Sequence, residues 1–131
     1  MAAEYYIPQL HKWSITTKNK KILDVGCGNG GFISAFEDAQ AFGVEIKPFP
    51  WKDNHVNFTV GDITQIDFQQ TLDSPFDIII LRDVIEHIPF DEKHSFLASI
   101  TNLMHKNTKI LVTFPPFYSP FGLHQQVFCK S

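Results

Sequence analysis

The sequence predicts an α/β fold in which helices cover both faces of a mainly parallel sheet. Apolar runs alternate with amphipathic stretches along the chain, a pattern typical of repeated strand–helix–strand units. The run Phe76 to Leu81 presents apolar side chains to both faces, as a central parallel strand does when helices cover both sides. A glycine-rich turn follows the apolar run Lys21 to Val25 and marks the end of a first strand. The 131 residues are expected to form one domain.

The first half of the chain is expected to hold two helices and three strands. Apolar residues at helical spacing predict the helices, and Lys47-Pro48 and Gly61-Asp62 end the second and third strands. In chain order the expected elements are the helix Ala3 to Ser14, the strand Lys21 to Val25, the helix Gly31 to Ala39, and the strands Ala41 to Ile46 and Val56 to Val60.

The second half is expected to add the strand Phe76 to Leu81, the helix Asp91 to His105 and the strand Lys109 to Phe114. Asp91 is the expected N-cap of that helix, and Pro115-Pro116 closes the last strand. No helix or strand is expected in Phe117 to Ser131, which is rich in aromatic residues, glycine, proline and glutamine.

Composition and charge disfavour several classes of function. The net charge of −3 and the pI near 6.0 provide no field that gathers a phosphate backbone, so no nucleic-acid partner is expected. No signal peptide or membrane-length apolar run is recognisable, and a cytoplasmic protein without a membrane partner is expected. The two cysteines, Cys27 and Cys129, are expected to be free thiols, and the scattered histidines predict no metal site.

The strongest motif is the strand and turn that run from Ile22 to Gly31. Its glycines allow a tight turn and a close approach of a ligand to the backbone, which predicts a nucleotide site. Gly26, Gly28 and Gly31 also fit the dinucleotide pattern G-x-G-x-x-G, so the motif alone leaves a nicotinamide cofactor open. Glu45, 21 residues after Asp24, is placed to accept hydrogen bonds from ribose hydroxyls in either case.

Two acidic residues separate the alternatives. Asp24 stands at the lip of the glycine turn, where it would repel a pyrophosphate, whereas a sulfonium cofactor with an amino-acid tail carries no phosphate. Asp62, in Gly61-Asp62-Ile63 after the third strand, points the same way. A nicotinamide-dependent oxidoreductase is therefore the less favoured interpretation.

At these residues the chain resembles the class I S-adenosylmethionine-dependent methyltransferases, whose first motif looks like Leu23-Asp24-Val25-Gly26-Cys27-Gly28-Asn29-Gly30. The resemblance extends from Lys21 to about Pro116 and implies a Rossmann-like three-layer sandwich. It implies that Glu45 holds the ribose and Asp62 the adenine amino group, with Ile63 beside the ring. The residues expected to bind S-adenosylmethionine, or its product S-adenosylhomocysteine, are Asp24, Gly26, Cys27, Gly28, Asn29, Gly30, Glu45, Ile46, Asp62, Ile63, Arg82 and Asp83.

The segment Val84-Ile85-Glu86-His87 looks like the Val-Leu-Glu-His box of small-molecule methyltransferases. His87 is the candidate general base, because histidine changes charge near neutral pH, although a role in ordering the loop is an equal alternative. His124 is a second candidate base in the C-terminal segment. The expected acceptor is a small molecule or a glycan-type compound methylated at oxygen or nitrogen, in contact with Glu86, His87, His124 and Gln125.

The chain departs from the family pattern at its C-terminal end, where complete members continue with a helix and an antiparallel pair of strands. The domain 1–131 is therefore expected to be incomplete and to lack the last two strands of the sheet. The strand Lys109 to Phe114 would then expose an apolar edge, which predicts association through that edge, as in a homodimer. A non-catalytic cofactor-binding or interaction module is the alternative function.

Overall fold

The computed structural model describes residues 2–114 and 125–130, with side chains described for residues 4–114. Its strands form one six-stranded sheet in the order β3-β2-β1-β4-β5-β6. Strands β1 to β5 run parallel, and β6 pairs antiparallel with β5. The strands are β1 (Lys21–Val25), β2 (Gln40–Glu45), β3 (Val56–Val60), β4 (Phe76–Arg82), β5 (Met104–Phe114) and β6 (Gln125–Lys130).

Three α-helices accompany the sheet in the described residues: α1 (Ala2–Lys12), α2 (Ile66–Gln69) and α3 (Lys93–Thr101). Alternate residues of the central strands point into two separate apolar clusters, as strand periodicity requires. Ile22, Ile78 and Ile80 lie in one cluster with α1, while Leu23 and Ile79 lie in the other with α3. None of the helices in this part of the chain has the length and apolar character that a membrane crossing requires.

The order of the strands reverses between β1 and β4, because β1 pairs on one side with β2 and on the other with β4. Asp24 lies opposite Gly43 of β2 and Ile80 of β4. In open parallel sheets, ligands bind at the carboxyl ends of the strands next to such a reversal. This geometry places the expected site beyond Val25, Glu45 and Arg82.

The predicted strands are confirmed with small shifts at their ends. Strands β1 and β3 have the predicted bounds, while β2 starts and ends one residue earlier and β4 ends one residue later. Strand β5 starts five residues earlier than predicted, at Met104. The helix predicted over Ala3 to Ser14 is confirmed as α1, with Pro8 inside it.

Two predicted helices are wrong in extent. Only a single 3₁₀ turn, Ile33–Ala35, forms within Gly31 to Ala39. The chain leaves the helical conformation at Phe36 (ψ 69°), whose carbonyl oxygen lies 2.8 Å from the His55 ring Nε2. The helix ends early because the Phe36 carbonyl oxygen contacts the His55 ring and the backbone at Phe36 already turns toward β2.

The helix predicted over Asp91 to His105 is shorter at both ends. Asp91 lies in a 3₁₀ turn (Phe90–Glu92), and the N-cap of α3 is Glu92, which makes no capping bond through its side chain. His105 belongs to β5, where its Nε2 lies 2.8 Å from Oδ1 of Asp77 on β4. Pairing of β5 with β4 therefore determines where α3 ends. The short helix α2 is a further element that was not predicted.

The absence of a strand after residue 116 is also a wrong prediction. Strand β6 pairs with β5 along Lys109 to Phe114, from Lys109 opposite Lys130 to Phe114 opposite Gln125. Strand β5 is therefore not an edge of the sheet. The expected exposed edge at Lys109 to Phe114, and the homodimer predicted through it, are consequently not supported. Pairing with β6 of the same chain satisfies the backbone groups of β5 that a partner was expected to satisfy.

Candidate functional site

The glycine turn after β1 is a left-handed turn with one open face. Gly26, Gly28 and Gly30 have φ values of +73°, +55° and +85°, a region that side-chain-bearing residues rarely adopt. The amides of Gly26 and Cys27 both donate to the carbonyl oxygen of Val44, at 2.9 and 3.1 Å, which ties the turn to β2. A Cβ atom added at Gly28 would meet nothing within 4 Å. The turn therefore offers bare backbone to a ligand at Gly28.

Glu45, the last residue of β2, places a carboxylate beside this open face. Its Oε1 accepts a hydrogen bond from the Gly28 amide at 3.1 Å, and its Oε2 accepts one from the Ile46 amide at 2.8 Å. These bonds orient the carboxylate and leave further lone pairs on both oxygens. The prediction that Glu45 and the glycine turn form one site agrees with this contact.

Trp51 fixes the turn from a second direction. Its indole Nε1 donates to the Gly28 carbonyl oxygen at 2.9 Å, and its ring stacks on Phe58 with centroids 4.6 Å apart and planes 1° from parallel. Phe58 also fills the space beside Gly30, where an added Cβ would collide with its ring. Sequence analysis missed Trp51, because it lies in an irregular segment and its role depends on contacts with distant residues.

Next to the turn lies a largely apolar cavity of about 140 Å³. It is bounded by the ends of β1 and β2, the segment after β3, the segment after β4 and one residue of α3. Its lining residues are Val25, Gly26, Val44, Glu45, Ile46, Gly61, Asp62, Ile63, Thr64, Val84, Ile88 and Phe96. Five of these, Gly26, Glu45, Ile46, Asp62 and Ile63, are predicted cofactor residues.

The lining residues that sequence analysis missed are mainly apolar. Val84 and Ile88 flank the predicted Glu86-His87 pair, and Phe96 was assigned only to the apolar face of a helix. One apolar residue at the rim, Ile46, is 69 % exposed. Cavity walls and protein core use the same residue types, so no sequence signal separates Phe96 from its buried neighbours.

Asp62 presents an ionised carboxylate at the wall of this cavity. Its Oδ1 accepts hydrogen bonds from the Thr64 hydroxyl at 2.7 Å and the Thr64 amide at 3.0 Å. These bonds, the one from the hydroxyl first, lower the pKa of Asp62 below its ordinary value. The carboxylate is thus a fixed hydrogen-bond acceptor at neutral pH.

Asp24 lies beneath the turn and is only 2 % exposed. Burial raises the pKa of its carboxyl to about 7, and the charge of Glu45 adds to this effect, while the charge of Arg82 opposes it. Ionisation of Asp24 is therefore less favourable in the folded protein than in water. Carboxyl groups with such a raised pKa are common at functional sites.

Cys27 is held as an inert thiol. Burial, together with the nearby Asp24 and Glu45 carboxylates, raises the pKa of the Cys27 thiol to about 12. The thiolate is the nucleophilic form, so this residue does not act as a nucleophile at neutral pH. Its neighbour Asn29 shapes the turn, because Asn29 Oδ1 accepts a hydrogen bond from the Gly31 amide at 2.9 Å.

The end of β4 brings a second group of predicted residues to the same edge of the sheet. Asp83 has a φ of +55°, and its amide lies 3.1 Å from both the carbonyl and the hydroxyl oxygen of Thr113. The Thr113 hydroxyl lies 3.0 Å from Asp83 Oδ1. A left-handed conformation at a non-glycine residue costs on the order of 1 to 3 kcal/mol and is typical of functional sites.

Glu86 and His87 follow in a 3₁₀ turn, Ile85–His87. The Glu86 side chain is 6 % exposed and that of His87 is 79 % exposed, with 3.6 Å between Glu86 Oε1 and His87 Nε2. The ammonium group of Lys93 donates to the carbonyl oxygens of Ile85 and Ile88, which fixes this turn. The His87 imidazole is therefore exposed to solvent, on a turn that Lys93 stabilises, and it does not line the cavity.

Two predicted acceptor residues are not placed beside the others. His124 lies outside the described residues, and Gln125 is described only as backbone at the start of β6. The structure thus brings together the cofactor residues predicted on β1, β2, β3 and β4, while the C-terminal half of the predicted acceptor site lies outside the described side chains.

A glycine turn after β1, an acidic residue at the end of β2 and a reversal of strand order between β1 and β4 define a nucleotide-binding α/β domain. The chain belongs to the methyltransferase domain family, whose model matches residues 2–123.

The relatives include a ubiquinone biosynthesis O-methyltransferase of Glaesserella parasuis, 31 % identical over an alignment of 107 residues that covers 72 % of this chain and 44 % of that protein. The magnesium protoporphyrin IX methyltransferase of Synechocystis, solved with bound S-adenosylmethionine, has a TM-score of 0.67 at 19 % identity and covers 88 % of this chain and 58 % of its own. A putative ribosomal RNA methyltransferase of Plasmodium falciparum has a TM-score of 0.67 at 20 % identity, covering 99 % and 96 %.

The curated relatives are longer proteins than this chain. The chain spans less than half the length of the matching O- and N-methyltransferases, from 29 % to 44 % of each. These structural likenesses, at 19 to 20 % identity, establish the methyltransferase fold.

Proposed function

We propose that this chain binds S-adenosylmethionine and forms the cofactor-binding part of an enzyme that transfers a methyl group to an oxygen or nitrogen atom of a small molecule. One observation carries the proposal: the bare backbone at Gly28 opens beside the Glu45 carboxylate and an apolar cavity that ends at Asp62. These features suit a nucleoside. The carboxylate can accept hydrogen bonds from the polar sugar, the apolar cavity can hold the flat base, and Asp62 can accept a hydrogen bond from the amino group of the base.

The residues of the cavity have distinct roles in this proposal. Glu45 accepts hydrogen bonds from the ribose hydroxyls, Asp62 accepts one from the adenine amino group, and Ile63 packs on the ring. The bound cofactor supplies an activated methyl group on a sulfonium. Because the transfer is an in-line displacement, the protein mainly aligns the acceptor and excludes water.

The class of acceptor rests on the relatives and on charge. The relatives are named as a ubiquinone biosynthesis O-methyltransferase, a probable tocopherol O-methyltransferase and an ajmaline N-methyltransferase, and the compounds in these names are small organic molecules. The net charge of −3 disfavours RNA, the class suggested by the Plasmodium structure's title. A glycan-type acceptor, contacted by His124 and Gln125, is a narrower proposal, and an acceptor screen that includes sugars, quinol precursors and RNA distinguishes these classes.

Calorimetry with S-adenosylhomocysteine and with NAD tests the cofactor. The expected affinity for S-adenosylhomocysteine is micromolar, on the order of −8 kcal/mol, because bare backbone and two carboxylates recognise the nucleoside. At pH 8, where Asp24 with its pKa of about 7 is ionised, NAD is expected to bind far more weakly, since its pyrophosphate would lie near that carboxylate. Equal affinities for the two ligands would overturn the proposal. Binding without transfer to any acceptor class would favour a non-catalytic cofactor-binding module.

Replacement of Glu45 tests the ribose contact. The variant Glu45→Ala is expected to bind S-adenosylhomocysteine more weakly by roughly 1 to 3 kcal/mol, because charge-assisted hydrogen bonds to the ribose are lost. Glu45→Gln retains a side-chain oxygen that can accept from Gly28 and is expected to fall between Glu45→Ala and the wild type. An unchanged dissociation constant in Glu45→Ala would contradict the placement of the ribose.

His87 is the proposed general base for an oxygen acceptor. With an acceptor found in the screen, His87→Ala is expected to lower kcat by about 10² to 10⁴-fold and to leave the affinity for S-adenosylhomocysteine unchanged, because the imidazole stands outside the cavity. The control is His94→Ala on α3, for which no loss is expected. A purely structural role of His87 would lower the free energy of unfolding and would not flatten the pH profile of kcat.

A further inference from the structure

A second cavity lies at the end of the sheet opposite the glycine turn. It has a volume of about 230 Å³ and lies beside the amino ends of β1 and β4, where Ile78 of β4 pairs with Ile22 of β1 and with Lys109 of β5. The segment after α1 forms another wall, because the chain turns at Ser14 (φ +61°), whose amide donates to the carbonyl oxygen of His11 at 3.0 Å. Among the described residues, this cavity and the one beside the glycine turn share none.

Lys20 and Lys109 bring two positive charges to this cavity. Both residues line it, and both are half-buried. Lys20 directly precedes β1 and Lys109 lies on β5, so the two lysines approach from the two sides of β4. Neither ammonium group forms an ion pair or a hydrogen bond within the part of the chain whose side chains are described. The described residues therefore leave both cations without a direct counter-charge.

Asp77 is the only acidic residue among the described residues that line the cavity, and its carboxylate is already bonded. Its Oδ2 accepts a hydrogen bond from the Lys21 amide at 2.8 Å, and its Oδ1 lies 2.8 Å from Nε2 of His105. Burial would raise the pKa of Asp77, but these hydrogen bonds and the neighbouring charges hold it below its ordinary value. The charge of Lys20 contributes least to this lowering, because Lys20 forms no ion pair with Asp77.

His105 orients Asp77 and does not serve as a base. The Asn107 amide donates to its Nδ1 at 3.0 Å, so the ring proton is on Nε2, facing the Asp77 carboxylate. With both ring nitrogens engaged, the imidazole has no lone pair left for a ligand. Ser14 and Thr16 add hydroxyl donors to the same cavity. The groups that can still bond are therefore mainly donors, which suits the binding of a hydrogen-bond acceptor.

The charges around the cavity select the class of ligand. The whole chain has a net charge of −3, which disfavours a general attraction of anions, whereas the described residues of the cavity place two lysines against one carboxylate. A phosphate monoester carries a charge of about −1.5 to −2 at pH 7 and three strong acceptor oxygens, so it can contact ammonium groups on two sides at once. A carboxylate has a single charge and two oxygens in one plane.

We propose that this cavity is a phosphate-binding site, in which Lys20 and Lys109 contact the phosphate oxygens from the two sides of β4 and the hydroxyl groups of Ser14 and Thr16 donate to them. The ligand is free phosphate or the phosphate group of a small phosphorylated compound. The site lies at the opposite end of the sheet from Glu45, so its test does not depend on the proposed function.

Calorimetry at pH 7 and constant ionic strength tests the site, with inorganic phosphate, glycerol 3-phosphate and acetate as probes. Lys20→Met and Lys109→Met are each expected to weaken phosphate binding about 10- to 100-fold, because each removes a charge-assisted contact while methionine fills the half-buried space. Acetate is expected to bind at least about 10-fold more weakly than phosphate, since it engages one ammonium group. Tighter binding of glycerol 3-phosphate than of phosphate identifies a phosphorylated compound as the ligand, and the reverse order identifies the free ion. Both orders support the site.

Lys18→Met and Lys106→Met are the matched controls. Each removes one positive charge at an exposed position close in sequence to Lys20 or Lys109, outside the residues that line the cavity. Changes of less than about 2-fold are expected in both, because solvent screens exposed charges. Control losses as large as those of the cavity variants, undetectable phosphate binding by the wild type, or equal affinities for phosphate and acetate would each overturn the assignment. Urea unfolding checks that every variant is folded, and the two cavity variants report independently of each other.

Discussion

Asp24→Asn is expected to make the unliganded protein more stable at pH 8 than the wild type. The folded wild type holds a proton on Asp24 up to a pKa of about 7, whereas the unfolded chain releases it near 3.8. The folded state therefore binds more protons between these values, and wild-type stability falls as pH rises through this window. Asparagine has nearly the same shape and does not titrate, so the variant escapes the loss.

The expected magnitude follows from the window. Between pH 5 and pH 8 the stability advantage of Asp24→Asn should grow by about 3 kcal/mol, since each pKa unit corresponds to about 1.4 kcal/mol. Urea unfolding of both proteins at the two pH values measures it. Asp91→Asn, at an exposed position, is the matched control and should show no such growth. A constant difference between Asp24→Asn and the wild type would show that Asp24 ionises in the folded protein as it does in water.

The same substitution is expected to weaken binding of the cofactor product. S-adenosylhomocysteine carries an α-ammonium group, and a nearby carboxylate attracts that cation more strongly than a neutral amide does, so Asp24→Asn should lose about tenfold in affinity for it. Wild-type affinity should fall as the pH drops below about 7, while that of the variant should stay flat. Arg82 and Glu45 are the charged side chains that shift the pKa of Asp24, and both are present in the two proteins. Parallel pH profiles would contradict this role.

Gly28→Val is expected to abolish cofactor binding while the chain still folds. Valine at a φ of +55° is strained, and its branched side chain would fill the open space beside the turn that the ligand needs. We expect an affinity loss of more than about 100-fold and a loss of unfolding free energy of about 1 to 3 kcal/mol. Calorimetry and urea unfolding measure the two effects separately.

Gly30→Val provides the contrast. A Cβ at Gly30 would collide with the partly buried Phe58 ring, which is stacked on Trp51, so this variant is expected to lose much more stability than Gly28→Val. If the two variants were equally destabilised, the space at Gly28 would be occupied by protein and would not be a ligand site. Retention of wild-type affinity in Gly28→Val would reject the glycine turn as the cofactor site.

Sequence patterns correctly predicted the strands whose ends are determined by residues close to them in the sequence. Strands β1 and β3 have the predicted bounds, because an apolar run and a following glycine suffice to define each of them. The glycine turn, Glu45 and Asp62 were predicted as one site, because the carboxyl ends of parallel strands meet at one edge of the sheet. In the structure, Glu45 accepts a hydrogen bond from Gly28, and Asp62 lines the same cavity as Glu45 and Gly26.

Predictions failed where distant residues compete for the backbone. The segment after the glycine turn has helical spacing, yet the His55 ring contacts the Phe36 carbonyl and the helix stops after one turn. Strand β6 has no strong local signal and forms by pairing with β5. Trp51 lies in an irregular segment and becomes part of the site through its bond to Gly28.

The sequence by itself determined the fold class, the mainly parallel direction of the strands, and the presence of carboxylates next to a glycine turn. These properties follow from side-chain type and spacing along the chain. Only the tertiary structure decided how those groups behave. Burial beneath the turn brings the pKa of Asp24 to about 7, against the opposing charge of Arg82, whose guanidinium lies over the Phe32 ring. Desolvation and charge interactions depend on neighbours in space, which spacing along the chain does not reveal.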